Sequence, residues 1–493
     1  MTAAGVAVIP TIQLYRDMQA VLEKKRASGK LGAAELRHLA LVFGGHPRRD
    51  PGCSRGVPPK TRGDLRVPRR TAKRNLFLPV FRCYDLPRMT GPEKKIFATL
   101  FFSIFAAVTG VGIVVPLLPV YAHSLGASGL YIGLIFGAFS LSRTVFLPYF
   151  GRVSDRRGRK PYIVTGLLAY SVVSVAFIFS RSVESLIVIR LFHGVASAMM
   201  MPVIQAYIGD ITPAGKEGFS MGVFNMSMFL GLSLGPLIGG VIKDHFSLEA
   251  AFICMGSLSL VGFLLSITFL PPTRSEQVLA RNQEPMKLKA LIADPFISGL
   301  FAFRFAYTAC IGIIWGFVPV YADERFGLSS ALIGALVTTG VFISGLIHVP
   351  MGYLADRFSR VKLVVSGGLL VSVSVWAFGW ANGFYGMLAA SIFFGLGGGV
   401  SNPALMAMSV HKGSQAAAMG SVMAYLTMAH SMGMLAGSLL GGVMMDLFQL
   451  QQAFLLGMLI MLAGVAAFYL LTRLPPATVP TVAGGGSAGG TPS

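Results

Sequence analysis

Six ionisable side chains stand inside long apolar stretches, where charge is expensive: Arg143, Arg190 and Arg304, with His193, His348 and His430. An imidazole titrates near neutral pH and can carry a proton. A guanidinium stays charged and presents a rigid fork of donors to an anion. Arg143 lies twelve residues before Asp155, about 18 Å along a helix, which is near mid-membrane. Arg190 and His193 are three residues apart and share a helix face. An anion on Arg190 would change the hold of His193 on a proton, linking two loads; the alternative is that each histidine is a hydrogen-bonded packing residue. None of the 20 Asp and Glu lies deep in an apolar stretch. A site made from these six side chains therefore disfavours cations and suits neutral or anionic amphiphiles. The sequence offers no nucleophile–base pair and no metal-ligand spacing, so neither enzymatic chemistry nor a metal is expected. Of the four cysteines, two fall in the leading segment and two in apolar stretches, which suggests no disulfide framework.

A second group of charges is compact. Gly151-x3-Asp155-Arg156-Arg157-Gly158-Arg159-Lys160 forms a short reversal between two apolar stretches. Gly151 and Gly158 permit close approach and unusual backbone angles. Asp155 can accept from neighbouring arginines or from a helix N-terminus. That makes either a charge latch for a gate or a merely positive turn that orients the chain. If it is a latch, Asp155→Asn lowers transport while leaving binding in place. The pattern returns as Gly352-x3-Asp356-Arg357-x2-Arg360, with Ser359 where the first copy has Gly158, so the second latch is expected to be weaker. A third pattern, Gly222-x8-Gly231-x3-Gly235-Pro236-x2-Gly239-Gly240, places small residues four apart, where a neighbouring backbone can approach closely, and a proline that favours a kink.

The elements that position these groups are legible in composition. Only 12% of the 493 residues are charged and 54% are hydrophobic, against roughly 25% charged in soluble domains. Residues 96–122 hold no Asp, Glu, Lys or Arg, and eleven comparable runs follow up to residue 472. Each is long enough for a membrane span of about 20 residues. The body also repeats. Pro119-Val120-Tyr121-Ala122 returns as Pro319-Val320-Tyr321-Ala322, Gly151 and Asp155 as Gly352 and Asp356, and Gly231, Gly235, Gly239 and Gly240 as Gly433, Gly437, Gly441 and Gly442. These offsets of 200 to 202 residues describe two six-helix halves in parallel repeat, which place a substrate site at their interface and make alternating access the default mechanism. The fold class is thus an all-α polytopic membrane protein with 12 transmembrane helices in two pseudo-repeats.

The organisation follows: a basic Pro/Gly/Arg-rich extension (1–88), a first half (89–271), a polar linker (272–295), a second half (296–472) and a flexible tail (473–493). The extension carries 18 Lys and Arg against 6 Asp and Glu. It reads as a tail that touches anionic lipid, as a segment without a role, or as sequence upstream of a true start at Met89. Segment 152–160 holds five Lys and Arg, so the positive-inside rule puts both termini and the linker in the cytoplasm. The basicity is topological, and no nucleic-acid partner is expected.

Motif by motif, the chain resembles the major facilitator superfamily, and within it the twelve-span drug:proton antiporters. Gly151 to Lys160 matches that superfamily's first-loop motif, and Gly222 to Gly240 matches the antiporter motif. Arg190-x2-His193-Gly194 is similar to its fourth-span motif, with His193 where Gln is commoner. The resemblance covers about residues 95–472. It implies the major facilitator fold and proton-driven efflux, of the multidrug-resistance kind, of small amphipathic compounds from a bacterial inner membrane. It also implies a monomer in the lipid bilayer with a small-molecule substrate and no cofactor. Tyr307, Trp315, Asn402 and Tyr425 lie on spans that line the cavity in that family, as wall or as packing. The family's membrane-embedded carboxylate is missing here. An uptake carrier or uniporter for an organic anion or sugar, and a non-transporting receptor or scaffold, are the alternatives on the same fold.

Overall fold

The computed structural model describes residues 90–212, 217–272, 288–355, 358–415 and 419–474. The extension 1–88, most of the linker, the tail beyond Leu474, and Asp356 and Arg357 of the second turn motif lie outside the described residues. Twelve described helices are long and apolar enough to span a membrane, and no strand occurs among the described residues. The first half comprises α1 (Gly91–Ser124), α2 (Gly129–Arg157), α3 (Lys160–Phe179), α4 (Val183–Ile211), α5 (Glu217–His245) and α6 (Leu248–Phe269). After a short helical turn, Leu288–Ala293, the second half comprises α7 (Pro295–Phe326), α8 (Ser330–Ala355), α9 (Arg360–Trp380), α10 (Gly383–Gln415), α11 (Met419–Leu447) and α12 (Leu450–Leu471).

Helices form because hydrocarbon cannot solvate backbone, so every N–H and C=O must be satisfied within the segment. Side chains start several of them. Thr90 and Glu93 make a reciprocal capping box on α1, Ser182 and Ser185 do the same on α4, and Asp294 accepts from the Ile297 amide at the start of α7. Glycines with positive φ end them: Gly126, Gly158 and Gly327 follow α1, α2 and α7. Interior prolines, Pro236 among them, do not interrupt their helices. Buried hydroxyls satisfy themselves by donating back to carbonyls one turn earlier, as Thr109 does to Phe105 O at 2.7 Å.

Packing repeats as the sequence does. In the first half α1 packs on α5 and α6, α2 on α4, and α3 on α4 and α6. In the second, α7 packs on α11 and α12, α8 on α10, and α9 on α10 and α12. The halves meet where α2 packs on α11 and α5 on α8, with α1 touching α7. Helices α1 and α7 are the most enclosed of the twelve, so the molecule is organised around them. Trp376 and Trp380 on α9 are exposed, on the surface that faces lipid.

Candidate functional site

The basic turns lie at one end of the helices, hereafter the basic end; the opposite end is the far end. Asp155 pairs directly with Arg159. Arg159 also donates from Nε to Asp210 on α4 at 3.1 Å and from Nη1 to Ser154 at 3.0 Å, and it is almost fully buried. Lys160 reaches the Ile267 carbonyl of α6 at 2.9 Å. The turn therefore ties α2, α3, α4 and α6 of one half together, and Arg156 stays exposed. Gly158 has φ 89°, which an L side chain rarely adopts. Its counterpart Ser359 has φ −61°, so the second turn has no such need. There Arg360 donates to the Ala355 carbonyl at 3.2 Å; apart from that turn, Lys412 near the end of α10 pairs with Asp294 at the start of α7 at 2.8 Å. A Cβ added at Gly151, Gly222 or Gly352 would meet nothing within 4 Å, so these glycines permit no close packing here. Asp210 and Lys412 escaped sequence reasoning: each is a single charge near a helix end, with no motif around it.

In span 4 the guanidinium of Arg190 lies over Phe139 and Phe136, 4.6 and 5.2 Å from the ring centres, and donates to the Ile135 carbonyl at 3.2 Å. Its Nη1 is 3.3 Å from Nδ1 of His193. Arginine can only donate, so Nδ1 accepts and the ring's proton sits on Nε2. His193 is fully buried with Phe139 and Tyr170 edge-on to it at 5.2 and 4.7 Å, and Nε2 has no partner. Gly194 allows α4 to touch α2, because a Cβ there would overlap Ser142 Oγ and the Phe139 carbonyl. The three motif residues thus hold α4 to α2 and make an aromatic pocket for His193.

A different cluster joins residues that lie far apart in sequence. Arg304 on α7 donates from Nη1 to Asn402 Oδ1 on α10 at 2.8 Å, and its Nη2 is 3.2 Å from His430 Nδ1 on α11. Asn402 donates onward to the Gly398 carbonyl at 2.9 Å. Tyr307, one turn after Arg304, stacks on Phe394 at 5.9 Å with its hydroxyl against Gly398. Arg143 is partly buried on α2, with Nε unpartnered. On α8, His348 lies 5.1 Å from the ring of Phe229 on α5, so this contact crosses the halves. Tyr425 packs on Phe301 at 4.5 Å and is buried, and Trp315 packs partly buried against the core. Every described Asp and Glu lies in a turn or in the first or last turn of a helix.

At the far end the halves are locked together by two crossed contacts. Asp446, at the end of α11, accepts from the Gly129 and Leu130 amides that begin α2, at 2.6 and 2.8 Å. Asp244, at the end of α5, accepts from the Ser330 and Ala331 amides that begin α8, at 3.0 and 2.7 Å. Carboxylates favour helix N-termini, where free N–H groups and the helix dipole both attract them. Lys243 adds a bond to Ser330 Oγ at 2.7 Å, and Thr338 donates to the Ser233 carbonyl at 2.7 Å. The glycine pattern of α5 divides between two neighbours. Gly231, Gly235 and Gly239 lie against α1 of the same half, whereas Gly240 and Pro236 lie against Ser330 and Gly334 of α8. Gly433, Gly437 and Gly442 on α11 repeat that division against α7 and α2. Asp244 and Asp446 stand 202 residues apart, the offset of the glycines before them, and that was the available signal.

The family model described as Major Facilitator Superfamily matches residues 100–329 and 300–491. Multidrug resistance protein 2 of Bacillus subtilis is 27% identical over 392 residues, which are 77% of this chain and 96% of that protein. Quinolone resistance protein NorA of Staphylococcus aureus is 28% identical over 370 residues, 72% of this chain and 90% of NorA. Among solved structures, the nucleoside transporter NupG superposes with a TM-score of 0.66 at 14% identity, covering 77% of this chain and 100% of NupG; that likeness is one of fold.

Proposed function

The chain belongs to the Major Facilitator Superfamily of transporters, and on that footing we propose that it is a proton-coupled exporter of small neutral or anionic amphipathic compounds. One observation supports the cargo charge above others. Arg304 is held between Asn402 and His430, while no described carboxylate lies in the middle of any helix. Export is favoured by the Gly231–Gly240 pattern and by the names of two relatives, a multidrug and a quinolone resistance protein. In this reading the basic end is cytoplasmic, the far end is external, and the structure is the inward-facing form of an alternating-access cycle. The single chain works in an inner membrane, and the proton gradient supplies the energy without a bound cofactor.

His193 is the proposed proton carrier. Its Nδ1 accepts from Arg190, so a second proton can bind only when Arg190 turns away, for example toward an anionic cargo. Reconstituted vesicles with an imposed pH gradient and matched anionic, neutral and cationic dyes test the whole reading. Anionic and neutral dyes should move uphill only when the gradient is present. His193→Gln should keep binding and weaken the gradient dependence. Preference for cations would refute the cargo assignment, and an unchanged pH profile in His193→Gln would make the histidine a packing residue. Gradient-independent flux would indicate a uniporter, and binding without flux a receptor.

A further inference from the structure

The same side-chain pairing occurs twice in the molecule, once sealed and once open. Arg190 meets His193 Nδ1 at 3.3 Å within α4, and Arg304 on α7 meets His430 Nδ1 on α11 at 3.2 Å. Arginine can only donate, so in both pairs Nδ1 accepts and the ring proton sits on Nε2. His193 is fully buried among aromatic rings, and its Nε2 has no partner. His430 and Arg304 are only half-buried. Among the described residues the enclosed, unpartnered side-chain nitrogens belong to His123, Arg143, His193 and His348. His430 Nε2 is not one of them, so it can be reached. Helix α7 is, with α1, the most enclosed of the spans, and His430 turns toward it, so the open side of this pair faces the interior. The acceptors of the cluster are already spent. Asn402 Oδ1 takes Arg304 Nη1 at 2.8 Å, while Asn402 Nδ2 donates to the Gly398 carbonyl at 2.9 Å, which fixes the amide's orientation. His430 Nδ1 takes Arg304 Nη2. What remains on the open side is donors: His430 Nε2–H, and the N–H groups of Arg304 that these two contacts leave over. A positive charge on Nδ1 polarises the ring and strengthens the donor at its other end.

We infer that His430 Nε2–H, held in place by Arg304, is a specificity-determining donor that takes a hydrogen-free acceptor on the cargo: a ketone, sulfonyl or carboxylate oxygen. This deepens the exporter reading and rests on it for the identity of the occupant as cargo. Neutral and anionic cargo then share one requirement, an acceptor oxygen, and the selection is by hydrogen-bond sense before it is by charge. An ammonium group brings only donors and finds no partner here. A site built to hydrogen-bond one group discriminates against an analogue that lacks it, because the site's own donor is then left unpaired. The ester carbonyl of a phospholipid offers the same acceptor, and the test separates the two sources.

The test measures binding of xanthone and xanthene to the full chain in phosphatidylcholine nanodiscs, with empty discs as the blank. The two tricycles are uncharged and differ by one carbonyl oxygen in place of two hydrogens. The wild-type protein should bind xanthone at least about fivefold more tightly, the scale of one net hydrogen bond. His430→Gln places an amide oxygen on Arg304 and an N–H on the open side, so it should keep a ratio of at least about threefold. His430→Glu also gives Arg304 an acceptor and should remain monodisperse, but it presents only acceptors, so its ratio should fall to about one. Nitrogen NMR of imidazole-labelled protein, with His430→Gln supplying the assignment, should show His430 protonated on Nε2 alone. Equal binding of the two probes by the wild type overturns the inference, as does a wild-type ratio in His430→Glu or loss of the ratio in folded His430→Gln. A ring protonated on Nδ1 overturns it whether or not the glutamate variant folds. Xanthone binding that tightens by more than about threefold when ester-linked lipid is replaced by its ether analogue makes the occupant a lipid carbonyl and overturns the cargo assignment. Binding needs no gradient: xanthone preference without pH-driven flux keeps the donor site and refutes the exporter, and pH-driven flux without the preference does the reverse.

Discussion

Valine at Gly437 should abolish the folded transporter, whereas valine at Gly442 should leave it folded and hold its far end apart. Both glycines are on α11, five residues apart, and both abut backbone. A Cβ at Gly437 would overlap the Ala309 carbonyl oxygen and come within 2.6 Å of Ala309 C and Cα. That neighbour is α7 of the same half, packed on both sides by its own partners, and close-packed interiors do not yield to such overlap without large rearrangement. A Cβ at Gly442 would overlap the Gly129 carbonyl oxygen and come within 2.6 Å of Gly129 C. That neighbour is α2 of the other half, which can rotate away as a unit. Gly437→Val should reduce the monodisperse yield to background. Gly442→Val should retain near wild-type yield, show a longer distance between spin labels on the far ends of α2 and α11, and lose more than about 90% of transport, about 1.4 kcal/mol in rate terms. Normal transport by Gly442→Val, or collapse equal to that of Gly437→Val, would show that α2 and α11 do not separate during the cycle.

Glutamine at Arg159 should be more damaging than asparagine at Asp155, although Asp155 heads the motif. Arg159 is the hub: it holds Asp155 and Ser154 at the end of α2 and Asp210 on α4. Its removal leaves two carboxylates near each other without a cation. A hydrogen bond to a charged group contributes about 1.5–3 kcal/mol when buried, and the partial exposure of both carboxylates puts the expected destabilisation at about 2–3 kcal/mol in total. Asp155→Asn leaves the Arg159–Asp210 pair intact, so folding and binding should persist while transport falls as the balance of gate states changes. Thermal unfolding in detergent, beside flux and binding, distinguishes the two. Equal melting temperatures for both variants would remove Arg159 from its central place, and wild-type flux in Asp155→Asn would reduce the turn to a topology signal.

The spans were legible because hydrocarbon imposes a length and a composition that few other structures share, and the doubling was legible because Gly and Pro anchors returned at nearly one offset. The turn motif was legible as a unit, but its partner Asp210 was not, since a lone carboxylate at a helix end carries no spacing signal. Among the candidate cavity residues, sequence placed Arg304, Asn402 and His430 on three spans. Only packing could show that one guanidinium bonds the other two. His193 illustrates the opposite case: spacing correctly put it beside Arg190, while its enclosure by Phe139 and Tyr170 depended on how α2 and α3 fold against α4. Glycines four apart on α5 read as a single stripe, yet they serve two different neighbours, because a helix with close contacts on two sides offers adjacent glycines to each.

The crossed far-end contacts have a consequence for assembly. Each half carries both an acidic helix end and a receiving helix start, so each is self-complementary in the sense of an isologous dimer. Each aspartate is received by a pair of main-chain amides, from Gly129 and Leu130 in one contact and from Ser330 and Ala331 in the other. Side chains at Leu130 and Ala331 are therefore free to change without altering the bond, whereas Gly129 has no room for a Cβ against Gly442 and Ser330 holds Lys243 through its hydroxyl; selection on this junction falls on the two aspartates, on those two positions and on the glycines one turn before the aspartates. No contact in it depends on the order in which the halves are connected, and two separately synthesised six-helix chains carry everything this junction requires.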